Sequence, residues 1–295
     1  MTAAPLSWGR RYLMCPPQHF GVMYEINPWM SREVSVSPDR ARTEWDALVA
    51  TLRAAGAEVE TMDPHPDVPD LVFTANAGVV NAGPATPGGS PGQFVPSHFR
   101  HPERQPETAV NAAWFGERGW RVERLPDDLD HEGAGDALPF TPDGERTVLL
   151  SGYSYRSDAT AATELSQTLN CPVRPVQLVD PRLYHLDLTF CPLDGRRAIV
   201  APLGWDAYGR KVVEALEPEP LVLTDDEALS FCANSVVVGR TVVMPSTPLR
   251  VGHQLEAWGF DVVECRVDEF LKAGGGCRCL TLALDTVLSG RALVG

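Results

Sequence analysis

The chain has 295 residues, 44% of them hydrophobic and 22% charged, proportions that exclude a fibrous or disordered polypeptide. With 39 Asp and Glu against 25 Lys and Arg, the formal net charge is −14. That leaves no general attraction to nucleic-acid phosphates or anionic lipid and is compatible with a small cationic substrate.

In chain order, Leu13 to Tyr24 is apolar and extended. Thr43 to Ala55 carries a helical face (Trp45, Leu48, Val49, Leu52), and Glu58 to Met62 alternates as a strand. Leu71–Phe73 and Gly78–Val80 read as strands, 108–118 as a helix and 121–125 as a strand. A third round has 136–140 and 147–151 as strands, 159–169 as a helix and 173–178 as a strand. The fourth has strands at 186–191 and 198–201, a helix at 206–216 and a strand at 221–224. The fifth has strands at 235–238 and 241–244, a helix at 249–258 and a strand at 261–265. Strand–strand–helix–strand recurs about every 45–55 residues, the period of a solenoid or propeller. Five such units without a break in composition predict one closed domain over residues 1–295. The Pro/Gly-rich stretch Asn81–Gly92 is expected to be a mobile surface loop.

The first residues lack an apolar core of signal-peptide length, and no apolar run reaches about 18 residues, so a cytoplasmic location is expected. The seven cysteines at 15, 171, 191, 232, 265, 277 and 279 are odd in number and mostly isolated in apolar stretches. They are expected to be buried small side chains, not a disulfide framework. Cys277-Arg-Cys279 lacks partner ligands at zinc spacing.

Polar residues at strand ends mark a candidate site. They are Asn27, Asn76, Glu132, Asp136, Arg156, His185, Asp187, Asn234 and Cys279, and nearly every round supplies one or two. In a propeller, strand ends converge on the axis, so these residues are expected to meet in a central pocket. Three glycines ahead of Cys277 and Cys279 let the backbone approach a ligand, as a nucleophile's loop requires. Taken alone, the same stretch is an ordinary turn followed by a buried thiol. His185-Leu-Asp187 places a histidine and an acid on one face of a strand, and a carboxylate neighbour raises an imidazole's basicity. Alone, it is also a satisfied polar pair. His98 and His101 fall in a run of Arg, Pro and Glu that reads as a loop, not a metal site.

Together these segments resemble the arginine deiminase, dimethylarginine hydrolase and amidinotransferase superfamily. FTANAG (73–78), FRHPERQPE (99–107), EGAGDAL (132–138), GYSYRSD (152–158), HLDL (185–188) and GGCRCLT (275–281) occur in the superfamily's order. The resemblance implies an α/β fold, a five-bladed α/β propeller (pentein) of ββαβ units, with Cys279 as nucleophile and His185 as acid and base. It also implies Glu132 and Asp187 as guanidinium-holding catalytic carboxylates. Asn27, Phe73, Asn76, Asp136, Arg156 and Asn234 are implied to bind substrate, Arg156 through its α-carboxylate.

Within the superfamily the chain is most similar to arginine dihydrolases and dimethylargininase-like bacterial hydrolases. Deiminases carry aspartate where this chain has Asn76. An amide both donates and accepts, so Asn76 suits a neutral ureido group and a second round of hydrolysis. The expected enzyme is a hydrolase of carbon–nitrogen bonds in linear amidines, taking arginine to ornithine, carbon dioxide and two ammonia. Alternatives within the family are a dimethylargininase and a deiminase; an amidinotransferase would need an amine acceptor site, for which the sequence gives no signal. An arginine-binding sensor is the alternative of another class, and retention of thiol, histidine and carboxylates argues against it. The chemistry requires no metal or organic cofactor. The expected partner is a small-molecule substrate, not nucleic acid or membrane, with oligomeric state left open, a homo-oligomer included.

Overall fold

The computed structural model describes residues 5–83, 89–142, 146–216 and 219–288. They form five three-stranded sheets of one design. In each, a first strand pairs antiparallel with a second, and a crossover helix leads to a third strand parallel to the second.

The N-terminal part supplies β1 (Arg11–Met14), helix Pro38–Ala54 and β2 (Glu58–Thr61). The next unit is β3 (Gly78–Ala82), β4 (Gly92–Pro96), helix Glu107–Glu117 and β5 (Arg121–Val122). It is followed by β6 (Ala137–Phe140), β7 (Val148–Tyr153), helix Ala161–Leu169 and β8 (Val173–Gln177). The fourth unit is β9 (Phe190–Pro192), β10 (Arg197–Val200), helix Ala207–Glu214 and β11 (Glu219–Val222). The fifth is β12 (Val236–Val238), β13 (Thr241–Met244), helix Leu249–Ala257 and β14 (Asp261–Glu264). Finally β15 (Leu282–Ala283) returns to pair antiparallel with β1, Tyr12 opposite Ala283 and Leu13 opposite Leu282. One sheet thus joins both ends of the described chain and closes the ring.

Burial explains the layering. The first strands β6, β9, β12 and β15 are buried along their whole length, whereas β2 and β14 are mostly exposed or half-buried. Continuous apolar runs such as Val236–Val238 suit strands covered on both faces. All five first strands contribute residues to two small voids that share Arg278, which places them around the axis. The crossover helices bury one stripe each. In Pro38–Ala54 that stripe is Ala41, Trp45, Leu48, Val49 and Leu52, spaced at helical intervals.

Two apolar segments expected as strands are helical turns, Pro69–Val72 and Leu186–Leu188. Runs of three or four apolar residues do not distinguish a strand from a buried turn. The first helix starts at Pro38, ahead of the expected Thr43, because Ser37 accepts from the Arg40 amide and proline suits a helix's first position. In the expected loop 81–92, Asn81 and Ala82 finish β3 and Gly92 opens β4; residues 84–88 lie outside the described residues. All seven cysteines are free and buried. No helix among the described residues is long and apolar enough to cross a membrane.

Candidate active site

Each first strand is preceded by a short turn, and each turn carries site residues. Asn76 lies in Thr74–Ala77 before β3, and Asp136 in Gly133–Asp136 before β6, with Glu132 just ahead of that turn. His185 flanks the turn Leu186–Leu188, which holds Asp187, before β9. Asn234 stands two residues before β12 and Cys279 three before β15.

These five turns are stitched into a closed circle of hydrogen bonds. The Ala75 amide donates to the Cys279 carbonyl at 3.1 Å, and Asn76 Nδ2 to the Glu132 carbonyl at 3.1 Å. The Leu186 amide donates to Asp136 Oδ1 at 3.1 Å, and Asn234 Nδ2 to the Asp187 carbonyl at 3.3 Å. The amides of Arg278 and Cys279 close the circle on Asn234 Oδ1, at 3.0 and 3.2 Å. Side chains scattered over two hundred residues are thereby fixed relative to one another, as preorganised catalysis requires.

Around the thiol, Asn234 Nδ2 donates to Cys279 Sγ at 3.1 Å, and Sγ donates to Asp187 Oδ2 at 3.4 Å. Burial and the neighbouring Asp187 push the Cys279 thiol well above its ordinary value, against hydrogen bonds from Gly276 and Asn234. Burial also raises Asp187, to about 7, against the pull of Arg278, Cys279 and Asn234. The resting pair is therefore a thiol and a half-ionised acid, and a cation brought beside them favours thiolate. A Cβ on Gly276 would lie 2.7 Å from Asn234 Oδ1, so the backbone approaches that amide only as glycine.

The second half of the site centres on His185. Its Nε2 shares a 2.8 Å hydrogen bond with Glu132 Oε2 and lies 4.0 Å from Asp136 Oδ2. Burial works against the Glu132 charge, but Arg156 and His185 hold its carboxyl well below the usual range. Glu132 is thus a fixed anion that orients the imidazole. Its Oε1, like Asp187 Oδ1, is buried without a hydrogen-bond partner.

Above the thiol lies a pocket of about 10 Å³, room for roughly one water. Of the residues expected from the sequence, Asn27, Phe73, Asn76, Arg156 and Cys279 line it. Asn27 is braced by bonds from Nδ2 to the Ala273 carbonyl and from the Trp29 amide to Oδ1. Arg156 donates to Glu132 Oε2 and to the Ile26 carbonyl, both at 2.9 Å, with its guanidinium over the Tyr184 ring. A guanidinium is therefore already seated on one of the carboxylates expected to receive one.

Two expected substrate ligands are placed elsewhere. Glu132, Asp136, His185, Asp187 and Asn234 do not line the pocket; Asp136 accepts from Ser157 Oγ at 2.7 Å and from the Leu186 amide, so it holds the His185 turn. Asn234 spends its amide on Cys279, Arg278 and Asp187 and holds the Cys279 loop. His185 flanks, and Asp187 lies within, a helical turn instead of the two sharing a strand face, and His185 Nε2 bonds Glu132.

Sequence reading gave no role to Asp70, Arg104 or Tyr184, which also line the pocket. Arg104 donates twice to Glu107, at 2.8 Å each, and to Asn76 Oδ1 at 3.1 Å, so it fixes the amide's orientation. The signal was present in FRHPERQPE, where Arg104 and Glu107 stand one helical turn apart. Asp70, in a short apolar turn, carries no such signal. His98 pairs with Asp130 and His131 instead of joining this site. Among the described residues, no group of three or more His, Cys, Asp or Glu is disposed to hold a metal ion.

A buried thiol set among carboxylates at the centre of a five-bladed α/β propeller defines the class as the guanidine-modifying enzymes. The family profile described as "N,N dimethylarginine dimethylhydrolase, eukaryotic" matches residues 25–285, and the chain belongs to this family. It is 36% identical to the N(G),N(G)-dimethylarginine dimethylaminohydrolase of Mycobacterium tuberculosis, over 93% of this chain and 86% of that protein. It is 40% identical, over 92% of its length, to the bifunctional arginine dihydrolase/ornithine cyclodeaminase ArgZ of Synechocystis sp., but spans only 37% of that relative. The product-bound crystal structure of the N-terminal domain of ArgZ, an arginine dihydrolase, superposes with a TM-score of 0.86. There the identity is 39%, with 94% of this chain and 98% of that one covered.

Proposed function

We propose that the ring acts as one catalytic unit, a cysteine-dependent hydrolase of the guanidino group of arginine that proceeds through two rounds to ornithine. The observation that carries this reading is the pair of partnerless, buried carboxylate oxygens, Glu132 Oε1 on the carboxylate bonded to His185 and Asp187 Oδ1 on the carboxylate bonded to the thiol. Unpaired buried acceptors are costly, and a planar cation with paired N–H donors satisfies both. The likeness to the arginine dihydrolase ArgZ supports the choice of substrate.

In this mechanism the arriving guanidinium displaces Arg156 from Glu132. Its charge favours the Cys279 thiolate, whose proton passes to Asp187, the acceptor at 3.4 Å. Sulfur attacks the guanidinium carbon and His185 protonates the departing nitrogen, releasing ammonia and leaving an S-alkylthiouronium adduct. His185 then takes a proton from water, which adds to the adduct, and the carbon–sulfur bond breaks to give the ureido product. Asn76 holds this neutral group for a second attack. The overall stoichiometry is arginine and two waters to ornithine, carbon dioxide and two ammonia.

The test is to supply arginine, citrulline and dimethylarginine separately and identify products by mass. Ornithine from both arginine and citrulline is expected; citrulline as sole product sinks the two-round reading. A second reading, hydrolysis of dimethylarginine to citrulline and dimethylamine, is favoured by the family profile and the Mycobacterium tuberculosis relative. Release of dimethylamine would establish it.

A further inference from the structure

Arg278 precedes Cys279 in the chain, yet it borders a different space. It lines two voids on the axis, each of about 10 Å³, room for roughly one water. Neither void shares a lining residue with the pocket at Cys279. Arg278 is only 6% exposed. Its Nε is buried without a hydrogen-bond partner, and no carboxylate of the described residues comes within ion-pair distance. The other two deeply buried guanidiniums, Arg104 and Arg156, each sit on a glutamate. The Trp8 ring, its centroid 5.2 Å from the Arg278 guanidinium carbon, attracts the charge but supplies no acceptor for the in-plane N–H donors.

A buried charge is stable only when paired, and one of the two voids offers room for the partner. It lies where β15, the strand that closes the ring, meets β3 and β6. Among the described residues, Arg278 and Thr286 are the polar side chains lining it; the rest are apolar and none is an acid. Thr286 is buried as well, and its hydroxyl adds a donor to those of the guanidinium. Donors of one sign between apolar walls attract an anion strongly, because the surroundings screen the charges little. The volume then selects the anion. Carboxylates, phosphate and bicarbonate have several heavy atoms and do not fit the space of one water, whereas a halide does.

We propose that Arg278 and Thr286 form a binding site for one monatomic anion, chloride in ordinary salt. The ion neutralises the axial guanidinium and ties β15 to β3 and β6 at the closure of the ring. A water in the same space would leave the charge uncompensated. The site is independent of the chemistry assigned to Cys279.

Crystals of the full chain grown with bromide in place of chloride test the site directly. Anomalous diffraction at the bromine edge should show a peak in contact with the Arg278 guanidinium and the Thr286 hydroxyl. In solution, Tm is measured against sodium bromide and sodium chloride at constant ionic strength, balanced with gluconate, which is too large for the void. Tm should rise saturably, by about 2 °C at roughly ten times the dissociation constant. Arg278→Met should remove the halide dependence, with a Tm in gluconate equal to or above that of the unaltered chain. Thr286→Val should raise the apparent dissociation constant about tenfold. Absence of the anomalous peak overturns the proposal, as does a halide dependence that survives in Arg278→Met. A peak at molar bromide with a flat Tm would mean an adventitious ion only, and also overturns it. Should Arg278→Met fail to fold, the anomalous map and the Thr286→Val titration decide the question.

Discussion

Cys277 and Cys279 are two residues apart and both buried, yet their surroundings make them chemically different. Cys277 donates to the Cys265 carbonyl at 3.3 Å, and burial and the Cys265 thiol push its own thiol far up. It does not line the pocket. Cys279 lines the pocket and touches Asp187. Cys279→Ser should therefore abolish turnover and iodoacetamide labelling, whereas Cys277→Ser should leave both within a few-fold; labelling sites identified by mass would show a wrong assignment. Asn76 is the second decisive residue. Arg104 occupies its oxygen and the Glu132 carbonyl receives its N–H. An aspartate there would keep the arginine contact but turn an oxygen toward a carbonyl, and its charge favours a guanidinium over a ureido group. Asn76→Asp should stop the reaction at citrulline, raising the citrulline-to-ornithine ratio at least tenfold by mass analysis. An unchanged ratio removes Asn76 from the second round.

At the scale of elements, what positions the site is the turn ahead of each first strand, more than the strand itself. The turn Gly133–Asp136 packs its backbone against both the Asn76 amide and the His185 ring. A Cβ on Gly135 would overlap Asn76 Nδ2 and sit 3.4 Å from His185 Nδ1. Gly135→Ala should thus cost roughly 100-fold in kcat/KM while the circular-dichroism spectrum stays native; near-normal activity would show that the turn yields. These turns also mark where sequence reading stopped. The helices were legible from stripes such as Trp45, Leu48, Val49 and Leu52, and most strands from short apolar runs bounded by turn residues. The turn residues Asn76, Glu132, His185, Asn234 and Cys279 could be listed as polar intrusions. Their division of labour depends on hydrogen bonds across as many as 200 residues, which no local pattern encodes. Hence Asn234 and Asp136 were expected on the substrate and instead hold the loops, while Asp70 and Arg104 went unassigned.

For the whole molecule, a ring that concentrates carboxylates at its buried centre has a stability that depends on pH in an unusual direction. Burial raises Asp187 to about 7, Glu107 to about 7 and Asp136 to about 6, against roughly 4 for free carboxylates. Between those limits the folded chain binds protons more tightly than the unfolded one, so these groups make stability rise as pH falls. His131 opposes them. Burial lowers it to about 4, so the unfolded chain takes up its proton first and stability is lost as pH falls below roughly 6.5. Glu132, held low by Arg156 and His185 against burial, contributes stability above the unfolded carboxylate value and loses it as acidification continues. Above pH 6.5 only the raised carboxylates act, and between 6.5 and 5 three of them outweigh His131 and His101, which burial also lowers. The Tm of the unliganded chain should therefore rise by several degrees from pH 8 to about pH 5.5, then fall below about pH 4.5. A guanidinium ligand needs Asp187 ionised, so saturating arginine with the Cys279→Ser chain should raise Tm more at pH 8 than at pH 5.5. Scanning calorimetry across this range checks both slopes. A free-chain Tm that declines steadily from pH 8 to 5.5 would mean that the central acids are ionised at rest, and that the thiol is not masked in the way the site requires.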